Sequence, residues 1–393
     1  MHLLDSGRIL LGLVLLVAGG ELLVRGASGL ATRIGMSSLV VGLTVVAFAT
    51  SAPELAVTLG AVMGGEPGLA VGNVVGSSIA NVLMILGSSA IILPLLVKVQ
   101  LVRIDIPFMA ALSILFLLLA IDGGFSRVDG LILLVLLVLY IAVAIILSRR
   151  DGHVDDLRGP GASIATASAG RVGHTAKKSA DTMTEAVENV EARGGSIGRD
   201  LVLVLIGVVL LVVGANILVK GATGIATAFG VSDLIVGLTV VAIGTSLPEL
   251  ATSIVAVRRG QRDLAVGNVV GSNIFNIGAV AGLAAMISPT GLPVPESALA
   301  LDIPLMIAAS VVLLPLAFTG SVIARWEGGL LVALYVSYLL YTVLAAAERP
   351  ILQGFTTVML WFITPLVVLT VISTVIHEIS RRRAVAAQTR YTR

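Results

Sequence analysis

Two copies of one stretch organise the chain: GLTVVAFATSAPELAV at residues 42–57 and GLTVVAIGTSLPELAT at residues 237–252. At a constant offset of 195 residues, 27 of the 46 positions in 42–87 are identical in the second copy. Identity at a fixed distance indicates an internal duplication rather than a shared compositional bias. Each copy places one acid, Glu54 or Glu249, within an apolar run. The chain is therefore predicted to consist of two related halves.

Composition predicts a membrane protein with many spans. Of the 393 residues, 57% are hydrophobic and 12% are charged, and the mean hydropathy is +1.07. So few charged residues cannot cover the surface of a soluble globule of this size. About 20 apolar residues cross a bilayer core of roughly 30 Å, and the chain contains about ten or eleven such segments. The sequence has no cysteine, which excludes disulfides, thiolate metal sites and cysteine nucleophiles.

The apolar segments form two sets of five followed by one more. Spans 1 to 5 are predicted at 8–30, 37–63, 69–93, 104–121 and 128–148, spans 6 to 10 at 201–226, 232–258, 264–288, 301–319 and 328–347, and an extra span at 355–376. The predicted segments are a first five-helix repeat at 1–148, a polar cytoplasmic linker at 149–199, a second five-helix repeat at 200–347, and the extra span with a basic tail at 348–393. The expected fold class is an all-α polytopic membrane protein with ten core helices plus one extra C-terminal transmembrane helix.

The basic residues predict the orientation in the membrane. If the N-terminus lies outside, most loop Lys and Arg residues fall on the inner side, including those of the linker, of 258–262 and of the tail. Because each half has an odd number of spans, the second half then enters the membrane from the opposite side. The two halves are thus predicted to be inverted repeats, a plan that places a transporter site near the bilayer midplane. We expect a multi-pass protein of the plasma (inner) membrane.

Each copy of the opening stretch combines a helix break with oxygen-bearing groups. Pro53 and Pro248 lie inside predicted spans 2 and 7, where a proline removes a backbone donor and frees carbonyls about four residues earlier. The candidate carbonyls include those of Ala47 and Ala242. Spacings of three and four residues place further groups on the same helical stripe, namely Thr50, Glu54 and Thr58 in the first half and Thr245, Glu249 and Ser253 in the second.

The following span of each half adds amides and hydroxyls at intervals of four, at Asn73, Ser77 and Asn81 and again at Asn268, Ser272 and Asn276. Facing halves would enclose a cage of oxygen atoms with two carboxylates, which suits hard cations such as Ca²⁺. A charge of −2 is balanced by one Ca²⁺, by two Na⁺ or by two protons. An ionised group at the centre of a membrane helix costs at least about 2.5–3.5 kcal/mol, so two related ones favour a functional site. Asparagine and serine also serve as links between membrane helices, and Asn73 and Asn268 fit either role.

Other functional classes receive less support from the sequence. It contains no HExxH, P-loop or GxSxG motif, and its four histidines lie outside the predicted midplane, so we do not expect an enzyme. A passive cation channel is an alternative, although two deep carboxylates favour tight binding. No cofactor, nucleic-acid partner or obligatory protein partner is expected. The expected partners are the transported ions and the lipid bilayer.

The two motifs resemble those of the cation/calcium antiporter superfamily, in particular the prokaryotic type of the sodium/calcium exchanger family. Its repeats look like GTSxPEL followed by GNxxGSNxxN, and this chain has ATSAPEL with GNVVGSSIAN and GTSLPEL with GNVVGSNIFN. The similarity covers roughly 8–347. It implies ten core helices, sodium/calcium exchange by alternating access, and four cation subsites between spans 2, 3, 7 and 8. The implied ligands are Glu54, Glu249, Ala47, Thr50, Ser51, Ala242, Thr245, Ser246, Ser77, Asn81, Ser272 and Asn276.

Three features depart from the family pattern. Some relatives carry aspartate where this chain has Asn276, which bears on the number of Na⁺ ions exchanged. Ser78 replaces the usual asparagine of the first repeat, and the extra span lies outside the ten-helix core. The leading hypothesis is an antiporter that moves Ca²⁺ outward against Na⁺, with spans 1 and 6 sliding across the site. Exchange of Ca²⁺ for protons is the alternative within the same class.

Overall fold

The computed structural model describes residues 2–157, 196–228, 242–318 and 322–347, together with 356 and 372. Three predicted segments fall wholly or largely outside these residues. They are most of the linker at 149–199, the first part of span 7 at 232–241, and the extra span at 355–376 with the basic tail.

The described chain is built from long helices, several of which contain a π-helical turn. In the first half the helices are His2–Ile34 in span 1; Ser38–Val41, the π-turn Gly42–Val46, Ala47–Thr50 and Ala52–Met63 in span 2; Pro67–Ala80, the π-turn Asn81–Leu86 and Gly87–Ile92 in span 3; the π-turn Leu101–Asp105 and Ile106–Ala120 in span 4; and Arg127–Leu157 in span 5. In the second half they are Ile197–Ala228 in span 6; Ala242–Thr245 and Leu247–Arg258 in span 7; Arg262–Phe275, the π-turn Asn276–Ala281 and Gly282–Ile287 in span 8; the π-turn Ala298–Asp302 and Ile303–Phe318 in span 9; and Arg325–Ala346 in span 10.

Helix length and hydropathy show a multi-pass membrane protein. Eight helices of the described residues are long and apolar enough to cross a bilayer, and the bent pair in span 2 makes a ninth. Many large apolar side chains, such as Leu10, Val17 and Leu118, lie exposed on the outer faces. Spans 3 and 8 are central, because 72% and 83% of their apolar segments are buried, against 17% for span 10. Four residues of the predicted cage, Ser77, Asn81, Ser272 and Asn276, therefore lie on the most enclosed helices.

The helices of spans 5 and 6 extend into the segment predicted as linker. The first continues to Leu157 and the second begins at Ile197, whereas the linker was predicted at 149–199. An α-helix satisfies its own backbone hydrogen bonds, so it can continue in water beyond its apolar part. Hydropathy marks the end of the apolar surface and not the end of the helix.

Spans 1 and 6 form a close antiparallel pair along their length. A Cβ atom added at Gly12 would lie 2.8 Å from the Gly214 carbonyl oxygen, and one added at Gly19 would lie 2.8 Å from that of Gly207. At the end of the pair, a Cβ at Gly26 would lie 2.6 Å from the Asp200 carbonyl oxygen. Only glycine allows two helix backbones to approach this closely, as in small-xxx-small packing. From the sequence, Gly19, Gly26, Gly214 and Gly221 were expected to let spans 1 and 6 slide over neighbouring helices. In the structure these four glycines pack the two spans against each other.

Four two-residue strands, which the sequence analysis did not anticipate, join loops of different halves. Leu95–Leu96, after span 3, pairs antiparallel with Val322–Ile323, before span 10. Gly124–Phe125, before span 5, pairs antiparallel with Leu292–Pro293, after span 8. The loop between spans 3 and 4 thus lies beside the loop between spans 9 and 10, and the loop between spans 4 and 5 lies beside the loop between spans 8 and 9.

Candidate cation site

The breaks in spans 2 and 7 set the position of the two glutamates. Span 2 bends by 42° between Thr50 and Ala52. Pro53 lies in the first turn of the helix that follows, where proline needs no hydrogen-bond acceptor, and Glu54 belongs to the same turn. Span 7 repeats the arrangement, with Glu249 in the first turn of Leu247–Arg258. Each acid therefore lies beside the N-terminus of a half-helix, whose dipole favours negative charge.

The sequence predicted that the break would free the carbonyl of Ala47, but this carbonyl keeps its hydrogen bond. That carbonyl accepts the Ser51 N–H at 3.0 Å, because the helix Ala47–Thr50 keeps this last hydrogen bond and the bend falls at Ser51. In span 7 the Ser246 N–H instead binds the Ile243 carbonyl at 3.1 Å, one residue closer along the chain than Ala242. A carbonyl has two lone pairs, so a cation-binding role for Ala47 and Ala242 stays a prediction.

Glu54 and Glu249 come together although 195 residues separate them. Each is only 1% exposed. The carboxyl of Glu249 lies beside the Thr50 and Ser51 hydroxyls of the first half and close enough to Glu54 for the two negative charges to interact. Two carboxylates in such an enclosure repel each other, so positive charge between them would stabilise the pair.

Hydroxyls and amides of the two halves also meet directly. The Thr50 hydroxyl lies 3.1 Å from Oδ1 of Asn268 and 3.5 Å from the Ser272 hydroxyl. Spans 2 and 8 approach closely here, because a Cβ atom at Gly271 would lie 2.6 Å from the Leu43 carbonyl oxygen. Ser77 is also buried, on span 3, where its backbone carbonyl accepts the N–H of Asn81.

Asn73 and Asn268 link neighbouring spans in equivalent ways. Nδ2 of Asn73 donates to the Thr58 hydroxyl at 2.9 Å and to the Glu54 carbonyl at 3.1 Å. Nδ2 of Asn268 donates to the Ser253 hydroxyl at 3.2 Å. These bonds tie span 3 to span 2 and span 8 to span 7. Of the two roles considered for these asparagines, linking helices accounts for their contacts.

Asn81 and Asn276 each begin a π-helical turn, a feature often found at functional sites. The turn Asn81–Leu86 packs against Leu247–Arg258, the helix of Glu249. The turn Asn276–Ala281 packs against Ala52–Met63, the helix of Glu54. The π-turn that begins at each asparagine therefore packs against the acid-bearing helix of the other half.

Several oxygen atoms of this region are buried without a well-formed hydrogen bond in the described part of the chain. They are Ser51 Oγ, Glu54 Oε2, Asn81 Oδ1, Ser246 Oγ, Glu249 Oε1 and Oε2, and Asn276 Oδ1. Buried polar atoms normally have partners, so a group of unpaired oxygens indicates a place for a ligand. The atoms are oxygens of carboxylates, hydroxyls and amides, which hard cations prefer. No cluster of three or more His, Cys, Asp or Glu occurs in the described ranges, so a cation here would rely on two charges and neutral oxygens.

Each of the other buried acids of the described residues makes a well-formed hydrogen bond or ion pair. The bonds are Arg8 to Asp5 at 2.9 Å, Tyr140 to Asp105 at 2.9 Å, Arg33 to Asp200 at 2.6 Å, and the Ala324 N–H to Glu327 at 2.7 Å. Among the buried acids of the described residues, both carboxylate oxygens lack a well-formed hydrogen bond only in Glu249.

Comparison with known proteins identifies the family. The family model described as sodium/calcium exchanger protein matches residues 6–146 and 200–344, which is most of the chain. The chain belongs to the sodium/calcium exchanger family. It is therefore a transporter and not an enzyme, as the sequence predicted.

The chain matches relatives over most of their length. The chain is 36% identical to inner membrane protein YrbG of Escherichia coli strain K12 over 287 residues, covering 73% of this chain and 81% of YrbG. It is 34% identical to sodium/calcium exchanger MaX1 of Methanosarcina acetivorans over 351 residues, covering 84% of this chain and 96% of MaX1. A solved structure of the sodium-calcium exchanger NCX_Mj, soaked with Na⁺ and Sr²⁺, has a TM-score of 0.68 at 32% identity, covering 86% of this chain and 99% of that one. The fold is thus that of NCX_Mj, with two matches to the family model in one chain.

One buried residue that bonds to a predicted ligand was missed by sequence reasoning. Asn273 on span 8 is 1% exposed and bonds directly to Asn81 on span 3. Its counterpart at the offset of 195 is Ser78, which was noted as a departure from the family motif. The signal in the sequence was therefore a difference between the halves, which the identical positions of the repeat do not reveal.

Proposed function

We propose that this protein is a secondary active antiporter that exchanges Ca²⁺ for Na⁺ across the membrane by alternating access. The observation that carries the proposal is the enclosure of Glu54 and Glu249 together, 1% exposed each, among unpaired oxygen atoms. A buried charge of −2 must be balanced by cations, and an oxygen-lined site suits Ca²⁺ and Na⁺. The transported ions are the cargo, and the proposed ligands are the twelve residues named in the sequence analysis.

The proposal includes an inverted relation between two five-span halves, which makes ten core spans, with an extra C-terminal helix outside this core. Two contacts support inversion. Spans 1 and 6, which are equivalent in sequence, run antiparallel, and each two-residue sheet joins loops that are not equivalent. In inverted repeats the loop between spans 3 and 4 shares a membrane side with the loop between spans 9 and 10, which are the loops joined here. Inversion places the shared site at the repeat interface near the midplane.

The proposed orientation has the N-terminus outside and the central linker in the cytoplasm, in the plasma (inner) membrane. The distribution of Lys and Arg supports it. The ion pair between Lys98 and Asp263, at 2.7 Å, joins the loop after span 3 to the start of span 8. Both belong to the side that this orientation makes cytoplasmic.

Movement of spans 1 and 6 is the proposed route to alternating access. At Gly12, Gly19, Gly207 and Gly214 the helix surface is flat and meets the partner's backbone, with the leucine side chains of Leu15, Leu211 and Leu218 beside it. A smooth interface offers little resistance to small sliding shifts of packed helices. Span 1 also packs against Leu247–Arg258, the helix that carries Glu249. A shift of spans 1 and 6 would therefore open or close the route to Glu249.

Flux through reconstituted protein tests the proposal. Purified full-length protein in liposomes loaded with Na⁺ should take up radiolabelled Ca²⁺ when external Na⁺ is removed. Uptake should stop when the Na⁺ gradient is abolished at constant pH and constant membrane potential. Ca²⁺ uptake that is indifferent to Na⁺ would contradict sodium coupling.

Exchange of Ca²⁺ for protons is a second candidate, favoured by one observation. The cage has two carboxylates and an asparagine, Asn276, where a third acid would stand, so two protons can also balance its charge. Uptake that persists without Na⁺ and follows an imposed pH gradient would support this candidate. Ca²⁺ flux that needs no counter-ion would instead indicate a passive channel.

A further inference from the structure

Three buried side chains form a relay of oriented groups beside the proposed cage. Nδ2 of Asn81, on span 3, donates to Oδ1 of Asn273, on span 8, at 3.0 Å. Nδ2 of Asn273 lies 3.6 Å from Sδ of Met109, on span 4. The three residues are 0–1% exposed. The relay therefore connects three spans in a region closed to water.

The sulfur atom sets the direction of this relay. A thioether can accept a hydrogen bond and cannot donate one. Asn273 must therefore turn its NH₂ group toward Met109, and its oxygen then faces Asn81. Asn81 in turn must present its NH₂ group to that oxygen. The orientation of Asn81 is thus dictated from a residue two steps away.

This orientation decides which atom Asn81 offers on its other side. With its NH₂ group turned to Asn273, its Oδ1 points away from span 8, and this oxygen is buried without a hydrogen bond among the described residues. The turn that carries Asn81 packs against the helix of Glu249. An amide oxygen attracts a cation, whereas an NH₂ group repels it. The same side chain therefore favours cation binding when its oxygen faces the cation and opposes it when its NH₂ group does.

The equivalent relay around Asn276 lacks its middle amide. The counterparts of Asn81, Asn273 and Met109 are Asn276, Ser78 and Met306. The Ser78 hydroxyl donates to the Val74 carbonyl of its own helix at 2.8 Å. Both Nδ2 and Oδ1 of Asn276 are buried without a hydrogen bond in the described part of the chain. Met306 is equally buried, on span 9, which packs against span 3.

We infer that Asn273 is a positioning residue that, held by Met109, fixes Asn81 with its oxygen toward the cation cage, and that Asn276 has no such support. The inference rests on the proposed function, because it concerns the same site. It makes the two halves of the cage unequal for a cation. Asn81 offers an oriented oxygen, while Asn276 must select its orientation when a cation binds.

Equilibrium Ca²⁺ binding to the purified full-length protein in detergent tests the relay. Met109→Leu keeps the volume and removes the acceptor, and Asn273→Ser copies the first half. Each should raise the Kd for Ca²⁺ about 10-fold, the lower end of the usual effect of groups that orient metal ligands. Met306→Leu is the matched control and should leave the Kd unchanged. The thermal unfolding midpoint of each variant verifies that the protein is folded.

A double-mutant cycle separates orientation from packing. In an Asn81→Asp background the side chain carries oxygen on both sides, so its flip no longer matters. Met109→Leu should then lose its effect on the Kd. An equal loss in both backgrounds would show a packing role and overturn the inference, as would an unchanged Kd for both Met109→Leu and Asn273→Ser. Ca²⁺ binding that is intact in a protein without Na⁺-driven uptake would overturn the proposed function alone.

Discussion

The two halves of the cage carry the same acid in the same local structure but hold their asparagines differently. Glu54 and Glu249 each lie in the first turn after a helix break, and each is 1% exposed. Asn81 has an amide partner on the opposite half, whereas Asn276 has none among the described residues. Each half thus contributes one acid to the site. Only the asparagine of the first half, Asn81, has its amide orientation fixed by a hydrogen bond among the described residues.

A second difference lies between span 1 and its equivalent, span 6. Glu21 forms ion pairs with Arg25, at 2.7 Å, and with Arg259, at the end of span 7. At the offset of 195 the counterparts of Glu21 and Arg259 are Asn216 and Gly64, and these cannot form an ion pair. Asn216 instead donates to the Val212 carbonyl of its own helix at 2.9 Å. One of the two helices proposed to slide is therefore tied to an acid-bearing span, and in the described residues its partner has no equivalent ion pair.

Removing either acid should produce the largest effect and tests whether the charges are equivalent. Glu54→Gln and Glu249→Gln should each lower Na⁺-driven Ca²⁺ uptake by roughly 100-fold or more, consistent with about 3–5 kcal/mol for a broken buried charge pair. The reason is that one carboxylate cannot balance Ca²⁺. Glu66→Gln, an exposed acid, is the control and should transport normally. Near-normal transport by either cage variant would remove that acid from the site.

Adding a methyl group between spans 1 and 6 should have the next largest effect. Gly19→Ala and Gly207→Ala each place a methyl group within 2.8–2.9 Å of the partner's carbonyl oxygen. Separating the helices should cost about 1–3 kcal/mol, as overpacking does, and the cost should be similar in the two halves because the contact is reciprocal. Lower thermal unfolding midpoints and slower uptake would measure it.

Gly7→Ala is the matched control for the glycine variants. Nothing lies within 4 Å of a Cβ atom at this position of span 1. Because alanine is the better helix former, this variant should be neutral or slightly more stable. A Gly207→Ala protein as stable as wild type would contradict the backbone contact.

Removing the tie between span 1 and span 7 should have the smallest effect. Glu21→Gln should alter the balance between the two access states, so that the apparent Ca²⁺ affinity changes in opposite directions at the two membrane faces. A change of about 2- to 5-fold is expected, because partly exposed ion pairs contribute up to about 1 kcal/mol. Transport measured in both directions in oriented vesicles provides the values. Arg258→Gln is the control, and changes in the same direction at both faces would contradict a role in this balance.

Much of the architecture could be predicted because it follows from local apolar runs and from the repeat. The spans, the central acids and the glycines of spans 1 and 6 all appear as patterns in the chain. The strand pairs between loops could not be predicted, since Leu95 and Ile323 pair only after the helices have packed. The carbonyl of Ala47 was misjudged for a related reason. The position of Pro53 indicated a break, but only the backbone geometry shows on which residue the break falls.

The charges of the site and the orientation of its amides therefore have different origins. An acid within an apolar run is costly in a bilayer, so Glu54 and Glu249 are visible in the sequence as soon as the repeat is found. The direction of the Asn81 amide depends on Asn273 and, through it, on Met109, which is 164 residues from Asn273 in the chain. Hydrogen-bond direction is decided by the nearest acceptor in space. For that reason only the packing of spans 3, 4 and 8 determines which atom Asn81 presents to a cation.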